Sequence, residues 1–194
     1  MNTIQDSFKK RVKKPLRDLW WRLYGNVIKN PALPKNPKSF LFICKGNICR
    51  SPFAEHFSRT LATQFHLHEA VFYSAGLEVN KPSPSPSEAI TAAKGFDVTL
   101  NNHLSKMVTP ELVQSSDMAI TMEAPHLNTL RRLFPQLRDK FFLLPLFDKK
   151  GSTGYGGFLR YNITDPYGKD LKQYLLSYER IARSIKELFK NFKP

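Results

Sequence analysis

The chain has 194 residues, of which 41% are hydrophobic and 24% are charged, and its formal net charge is +14. This length and apolar content suit one domain with a sizeable core, and they exclude a chain that is disordered over most of its length. No apolar run approaches the ~20 residues that a membrane-spanning helix needs. The opening MNTIQDSFKK lacks the apolar core of a secretory signal, and two cysteines make no disulfide framework. We therefore expect a cytoplasmic protein.

The first 38 residues carry most of the positive charge. They hold ten Lys and Arg against two Asp, a net charge of +8. Apolar residues recur there every three or four positions, opposite the basic ones, which predicts an amphipathic helix: Phe8, Val12, Leu16, Leu19, Leu23 and Val27. The following NPALPKNPK is rich in Pro and Asn and predicts a linker. We therefore divide the chain into an extension, residues 1–38, and a domain, residues 39–194.

Three interpretations of the extension remain open. Its lysines together with Trp20, Trp21 and Tyr24 are typical of a helix that lies on an anionic lipid surface, which would hold residues 1–30 at the inner face of a membrane. Alternatively, the apolar stripe packs on the domain or on a second copy, or the segment is a targeting sequence. Nothing beyond charge suggests nucleic acid, so no nucleic-acid partner is expected.

From residue 39 onward, predicted strands alternate with predicted helices. In chain order we predict strand 39–44, helix 52–65, strand 70–76, helix 88–95, strand 118–122, helix 124–134, strand 140–147 and helix 171–189. Short apolar strands that alternate with helices predict an α/β fold, with a four-stranded parallel sheet, helices on both faces and three layers in all.

The loop ICKGNICRSP, between the first strand and the first helix, has the composition of an anion cradle. Gly46 and Asn47 tolerate the unusual backbone angles that turn successive N–H groups inward. Ser51 and Pro52 predict a helix start, with Ser51 as N-cap, and a helix start attracts anions. Arg50 adds a planar, charged fork that matches two phosphate oxygens. Because ligands of parallel sheets bind beyond the carboxyl ends of the strands, we expect a phosphate site here.

Cys44 lies at the base of this loop, where the features that hold phosphate also favour the thiolate over the thiol. A thiolate that faces a bound phosphate is an in-line nucleophile. Such a reaction needs an acid for the leaving group, and Asp165, in NITDPYG, is the candidate. Asp-Pro alone usually marks only a turn. Asp165 is a candidate because the reaction expected at the cysteine loop requires an acid.

Two other interpretations of the thiols compete with this one. Zinc could bind Cys44 and Cys49, but no second Cys pair exists and His56 is the one nearby imidazole, so a metal site is not favoured. Two buried structural thiols are a common arrangement, although the adjoining Gly, Asn, Arg and Ser-Pro argue against it here.

The motif CKGNICRSPFAE, at 44–55, together with the late DPYG, resembles the low-molecular-weight protein tyrosine phosphatases. The resemblance runs from about Ser39 to the C-terminus, with SAG at 74–76 and DMAITM before Glu123 in their expected places. It implies a flavodoxin-like fold and hydrolysis of phosphotyrosine in proteins, without a metal or cofactor. A tyrosine kinase is an implied partner.

The resemblance also implies roles for individual residues. Cys44 would form a phosphocysteine, Arg50 would clamp the phosphoryl oxygens, and Asp165 would protonate the leaving group and then activate water. Cys49 would form a reversible disulfide with Cys44 under peroxide, and Tyr167 would stack on the substrate ring. Ser51 would donate a hydrogen bond to the Cys44 sulfur. Phosphate binding or loop support would come from Lys45, Gly46, Asn47, Ile48, Cys49, Ser51, Ser74 and His103.

Departures of this sequence from the family pattern, and the other activities known for the same fold, leave alternatives open. The family often has an aromatic pocket wall a few residues past SAG, which LEVN lacks here, so Phe158 or Tyr161 is a candidate replacement. Arsenate reductases of this fold need additional cysteines, which this chain does not have. Protein-arginine phosphatases carry Thr where this chain has Ile48. A non-catalytic, membrane-associated phosphate-binding protein is the remaining alternative, against which the intact Cys44, Arg50 and Asp165 argue.

Overall fold

The structure, a computed structural model, describes residues 28–148 and 157–192. Four parallel strands form one sheet in the order β2-β1-β3-β4: β1 Ser39–Cys44, β2 Val71–Gly76, β3 Met118–Thr121 and β4 Phe141–Leu143. The α-helices are α1 Arg50–Leu61, α2 Ser87–Lys94, α3 Pro110–Ser115, α4 Ala124–Leu133 and α5 Leu171–Phe189. Short 3-10 helices cover Pro135–Lys140, Leu144–Phe147, Gly157–Tyr161 and Lys190–Phe192.

Strand β1 is apolar on both sides because it lies in the middle of the sheet. Phe40 and Phe42 pack on one face with residues of α1, α2 and α5, whereas Leu41 and Ile43 pack on the other with residues of α3 and α4. All four side chains are fully buried, and each contributes about 1.5–3 kcal/mol to stability. The predicted three-layer α/β fold with a four-stranded parallel sheet is therefore confirmed.

The predicted fourth strand was too long. The structure limits β4 to Phe141–Leu143 and turns Leu144–Phe147 into a 3-10 helix. Pro145 lacks the N–H that a strand donates to its neighbour, which explains why the apolar run LPLF leaves the sheet. The first helix was also predicted too long, since it ends at Leu61. Phe65 is buried in the turn that follows, and this burial extended the helical pattern beyond the helix itself.

Helix α3, at Pro110–Ser115, was not among the predicted elements. Its start carries a local signal, because the Thr109 side chain accepts a hydrogen bond from the Leu112 N–H at 3.3 Å and Pro110 opens the helix. A Thr-Pro pair is a typical N-cap and first helical position. The helix has only six residues, too few for periodicity to reveal.

The described part of the extension contacts the domain. Asn30 accepts a hydrogen bond from the Leu143 N–H at 2.7 Å and donates one to the Leu143 carbonyl at 3.2 Å, so its side chain pairs with the open edge of β4. Leu33 packs against the core on one face of the sheet and Ile28 on the other. The predicted amphipathic helix lies outside the described residues. Within the described ranges, no helix is both long and apolar enough to cross a membrane.

Candidate active site

A pocket of about 430 Å³ opens at the carboxyl end of β1. One side is the loop from Cys44 to Arg50, which joins β1 to α1. A second side is the segment 78–81 that follows β2, and a third is formed by Asp165 and Tyr167. The position agrees with the general rule that parallel sheets bind ligands at this edge.

The Cys44 sulfur lies at the floor of the pocket among hydrogen-bonding groups. Cys44 is only 3% exposed to solvent. The Asn47 N–H donates to Sγ at 3.3 Å, and the Ser51 hydroxyl lies 3.0 Å from Sγ. A thiolate can only accept hydrogen bonds, so in that form Sγ would receive both of these protons. The loop therefore surrounds the sulfur of the candidate nucleophile with two hydrogen-bonding groups.

Ser51 does not cap the helix as predicted. Helix α1 begins at Arg50, and its N-cap residue, Cys49, makes no side-chain capping bond. The Ser51 hydroxyl turns instead toward the Cys44 sulfur and also reaches the Ala75 carbonyl at 3.3 Å. A hydroxyl in the first turn can serve either purpose, and the position beside the Cys44 sulfur is the one that the family resemblance implies.

Asn47 holds the loop in a conformation that few residues adopt. Its φ is +52°, whereas neighbouring Gly46 does not use the left-handed region, so only one of the two predicted positions needs it. The Asn47 amide donates to the Ser74 hydroxyl at 2.9 Å and to the Ser51 hydroxyl at 3.0 Å, and its carbonyl oxygen accepts from the Lys106 N–H at 2.9 Å. The fully buried side chain thus holds the turn through three hydrogen bonds.

His103 fixes the backbone of the same residue. Its Nε2 lies 2.7 Å from the Asn47 main-chain oxygen, which can only accept, so Nε2 carries the proton. Burial lowers the pKa of His103 below its ordinary value, although the bond to Asn47 and the charge of Glu55 raise it. The neutral ring that results can keep this single donor in place. Ser74 is held in turn, because its hydroxyl donates to the buried Glu55 carboxylate.

Arg50 lies behind the cysteine loop with 1% of its surface exposed. Its Nη1 donates to the Ile163 carbonyl at 2.9 Å and to the Glu123 carboxylate, and its Nη2 lies 2.9 Å from Asp165 Oδ2. Burial opposes the charge, but the nearby Cys44, Glu123 and Asp165 together raise the pKa of Arg50. Within the described residues Nε has no hydrogen-bond partner, which leaves this donor for a ligand.

Asp165 and Tyr167 line one side of the pocket, and a hydrogen bond links them. The Tyr167 N–H donates to Asp165 Oδ1 at 3.3 Å, which is a local turn bond. The Asp165 side chain is 42% exposed and Tyr167 is 62% exposed, so both can contact a large substrate. The ion pair with Arg50 directs the Asp165 carboxylate toward the cysteine loop.

Apart from Tyr167, no aromatic residue is among the described residues that line the pocket. The segment after β2 contributes Val79, Asn80 and Lys81. Neither predicted replacement lines the pocket: Tyr161 is buried to 2% exposure in the core on the α3 and α4 side, and Phe158 packs against the same cluster. The sequence pattern could not distinguish a buried aromatic residue from one at the pocket.

Cys49 lies beside the site but is chemically different from Cys44. Burial raises the pKa of the Cys49 thiol to about 12, an effect that the Tyr174 hydroxyl only partly opposes. The Cys49 thiol points to that hydroxyl at 3.8 Å. Both cysteines are free thiols. At neutral pH Cys49 is therefore protonated and a poor nucleophile.

Several residues that take part in this arrangement were not predicted as site residues, among them Glu123, Glu55, Lys106 and Gly76. Glu123 lies two residues after β3 and contacts Arg50, so its position close to the end of a strand was the available signal. Glu55 lies in the recognised motif, but its contact with Ser74 depends on the pairing of β1 with β2. Lys106 contributes only its main-chain N–H, and a contact of the main chain cannot be predicted from the residue type. A Cβ on Gly76 would lie 2.9 Å from the Lys45 carbonyl and 3.0 Å from the Asn47 nitrogen, so the loop packs directly on this glycine.

Comparison with known proteins agrees with this geometry. The model of the family described as low molecular weight phosphotyrosine protein phosphatase matches residues 39–194. The protein-arginine-phosphatase of Bacillus subtilis is 30% identical over 153 residues, which are 79% of this chain and 95% of that protein. The phosphatase Wzb of Salmonella typhi is 30% identical over 147 residues, or 76% of this chain and 89% of that protein.

A solved structure shows the same fold. Vibrio vulnificus Wzb, crystallised with benzylphosphonate, superposes with a TM-score of 0.67 at 26% identity and covers 79% of this chain and 98% of that one. The cysteine loop, the sheet order and the family match over residues 39–194 agree with one another. This chain belongs to the low molecular weight phosphotyrosine protein phosphatase family.

Proposed function

We propose that this protein hydrolyses phosphotyrosine in protein substrates through a phosphocysteine on Cys44. The observation that carries the proposal is the convergence on one pocket of the Cys44 sulfur, the Arg50 guanidinium and the Asp165 carboxylate. The three groups correspond to the nucleophile, anion clamp and proton donor that transfer of a phosphoryl group to sulfur requires.

In the first step, the Cys44 sulfur attacks phosphorus and the bond to the phenolic oxygen breaks. Asp165 gives its proton to that oxygen, which leaves as a neutral phenol. Arg50 and the N–H groups of the loop stabilise the negative charge on the three non-bridging oxygens. Since Arg50 is buried and held by Ile163 and Glu123, it needs little reorganisation to do so.

In the second step, water attacks the phosphorus of the phosphocysteine. The Asp165 carboxylate takes a proton from that water, the phosphorus–sulfur bond breaks, and Cys44 regains its thiolate as inorganic phosphate leaves. The Ser51 hydroxyl, 3.0 Å from Sγ, donates to the departing sulfur and lowers the cost of releasing it.

Tyrosine is the proposed side chain because of two features of the pocket. Ile48 lines it, as expected of tyrosine-directed members, where the arginine-directed branch carries Thr. Tyr167 offers an exposed ring beside Asp165 on which a phenyl group can stack. Arsenate reduction is not favoured, because the whole chain has two cysteines and its thiol relay needs more.

Turnover of the purified full chain on a phosphotyrosine peptide, phosphoarginine and arsenate tests the proposal. We expect hydrolysis of the phosphotyrosine peptide with kcat/KM at least ~10-fold above that for phosphoarginine. Cys44→Ser should abolish turnover, and Cys49→Ser, prepared in parallel, should retain most of it. Substantial activity of Cys44→Ser, or a preference for phosphoarginine, would contradict the proposal.

Redox protection by Cys49 is part of the proposal. Peroxide would oxidise the Cys44 thiolate to a sulfenic acid. Condensation with the Cys49 thiol, whose proton leaves with the sulfenic hydroxyl as water, would then form a disulfide, although the high pKa of Cys49 makes this step slow. The mass of the peroxide-treated protein should fall by two hydrogens and return with a dithiol. Cys49→Ser should instead lose activity irreversibly.

The proposed setting is the cytoplasm, with a phosphotyrosine protein, such as a tyrosine kinase, as partner. Attachment of residues 1–30 to the inner face of a membrane would bring the pocket close to membrane-bound substrates. Sedimentation of the full chain with anionic vesicles tests this, and replacement of Lys9, Lys10, Lys13 and Lys14 by Gln should weaken binding. Equal binding of both proteins would overturn the membrane interpretation.

A further inference from the structure

A group of potential metal ligands lies behind the cysteine loop. Glu55, His56 and His103 each offer one ligand atom, and these three atoms lie within 4.8 Å of one another. Within the described residues this is the one such group of three that the structure contains, and it excludes both cysteines. We propose that it binds a divalent zinc ion, with water completing the coordination.

The hydrogen bonds of His103 prepare it for this role. Its Nε2 donates to the Asn47 carbonyl at 2.7 Å, so the lone pair of the neutral ring is on Nδ1. A ring whose second nitrogen is bonded to a backbone carbonyl is the usual arrangement of a zinc-bound histidine, because that bond fixes both the tautomer and the orientation.

Glu55 supplies a carboxylate that is already oriented. One of its oxygens accepts a hydrogen bond from the Ser74 hydroxyl, and the other accepts one from the Arg59 guanidinium. Each carboxylate oxygen has a second lone pair, so either can still bind a cation. Two imidazole nitrogens, one carboxylate oxygen and water form a recognised donor set for zinc, whereas magnesium prefers oxygen ligands alone.

His56 completes the group from the surface side of α1. Its ring centroid lies 6.5 Å from that of His103 at an interplanar angle of 86°, and no hydrogen bond to another described residue holds it. Ligands around tetrahedral zinc are ~3.4 Å apart when the metal–ligand distances are ~2.0–2.1 Å. The observed separations, at most 4.8 Å, exceed this by up to about 1.4 Å, so the partly exposed His56 ring has to rotate toward the other two ligands when the metal binds.

Zinc at this position would affect the cysteine loop. Glu55 and His103 are the groups that hold Ser74 and the Asn47 carbonyl, so a metal that moves them displaces the loop. We therefore expect zinc to inhibit turnover, an expectation that rests on the proposed function. Binding itself does not depend on that function and can be measured without substrate.

Calorimetric titration of the full chain with Zn²⁺ tests the site. His56→Gln should weaken zinc binding at least ~10-fold, as loss of a ligand does. His68→Gln is the matched control, because it removes an exposed histidine outside the group, and it should bind like the wild type. Cys44→Ser should also bind zinc, and the Co²⁺ complex of the wild-type protein should lack the near-ultraviolet charge-transfer band of thiolate ligation.

Turnover then separates the two proposals. His56→Gln should match wild-type hydrolysis in the presence of a chelator and should require at least ~10-fold more zinc for half inhibition. Binding that disappears in Cys44→Ser but survives in His56→Gln would assign zinc to the thiolate and overturn the site. Absence of saturable binding would overturn it equally, whether or not the protein hydrolyses phosphotyrosine.

Discussion

Arg50 Nη2 lies 2.9 Å from Asp165 Oδ2, so the proposed phosphate clamp and the proposed proton donor form an ion pair. The contact joins residues 115 positions apart, at the start of α1 and in the loop before α5. It brings the DPYG motif to the cysteine loop and gives Asp165 a defined position despite its exposure.

The ion pair makes Asp165→Asn a clean test of the acid role. The Asn side-chain oxygen can still accept from Arg50, so the arrangement should persist while the transferable proton is lost. We expect kcat to fall ~10²–10⁴-fold for substrates with poor leaving groups, the usual contribution of acid–base catalysis. The decrease should be smaller for p-nitrophenyl phosphate. Equal slowing across a series of aryl phosphates would argue against Asp165 as the acid.

Replacing Asn47 should separate its backbone conformation from its side-chain bonds. Asn47→Ala loses three hydrogen bonds and places an alanine at φ +52°, whereas Asn47→Gly loses the same bonds but tolerates that angle. We expect Asn47→Ala to lose about 2–4 kcal/mol of unfolding free energy and Asn47→Gly about 1 kcal/mol less. Urea denaturation measures both, and identical losses would mean that the backbone angle is unimportant.

Gly76→Ala should damage the loop through crowding. The added Cβ would lie 2.6 Å from Val79 Cγ2 and 2.9 Å from the Lys45 carbonyl. We expect a loss of about 1–3 kcal/mol in stability and at least ~10-fold in kcat/KM. Gly95→Ala is the control, because its Cβ would meet only the Ala92 carbonyl at 3.5 Å, and it should be nearly neutral. Wild-type turnover of Gly76→Ala would be inconsistent with close packing of the loop on this residue.

The two cysteines should differ in alkylation. With a pKa of about 12, Cys49 is only about one part in 10⁴ thiolate at pH 8. Iodoacetamide should therefore add one label to the native protein, at Cys44, and almost none to Cys44→Ser. Inorganic phosphate should slow the labelling. Mass spectrometry of the intact protein gives the count, and rapid labelling of Cys44→Ser would refute the assignment of Cys49 as an unreactive thiol.

Acid should weaken the fold partly through His103. Burial lowers the pKa of His103 in the folded state, so the unfolded chain takes up this proton at a higher pH. The stability due to the neutral ring is present above pH ~6.5 and is lost as the pH falls toward the lower folded value. His103→Gln keeps a donor without titrating, so its unfolding free energy should fall less between pH 7 and 5. Parallel curves would show that His103 does not contribute.

The sequence by itself determined that the domain is an α/β fold with a parallel sheet, and it located the chemistry in the loop after the first strand. Alternating apolar segments distinguish strands from helices because burial imposes their periodicity, and the cysteine loop follows the first strand in any parallel arrangement. Pro145 and the six-residue α3 show the limit of this reasoning. The missing N–H of Pro145 takes an apolar run out of the sheet, and the Thr109 cap starts a helix that is too short to show an apolar pattern.

Only the tertiary structure decided which distant groups meet. The ion pair of Arg50 with Asp165 and the placement of Glu123 depend on how β3 and the loop before α5 lie against β1. The proximity of His56 to His103 depends likewise on the packing of α1 beside the loop before α3. Local sequence specifies conformation through backbone preferences and burial, but contacts between segments far apart in the chain arise only when the whole core packs.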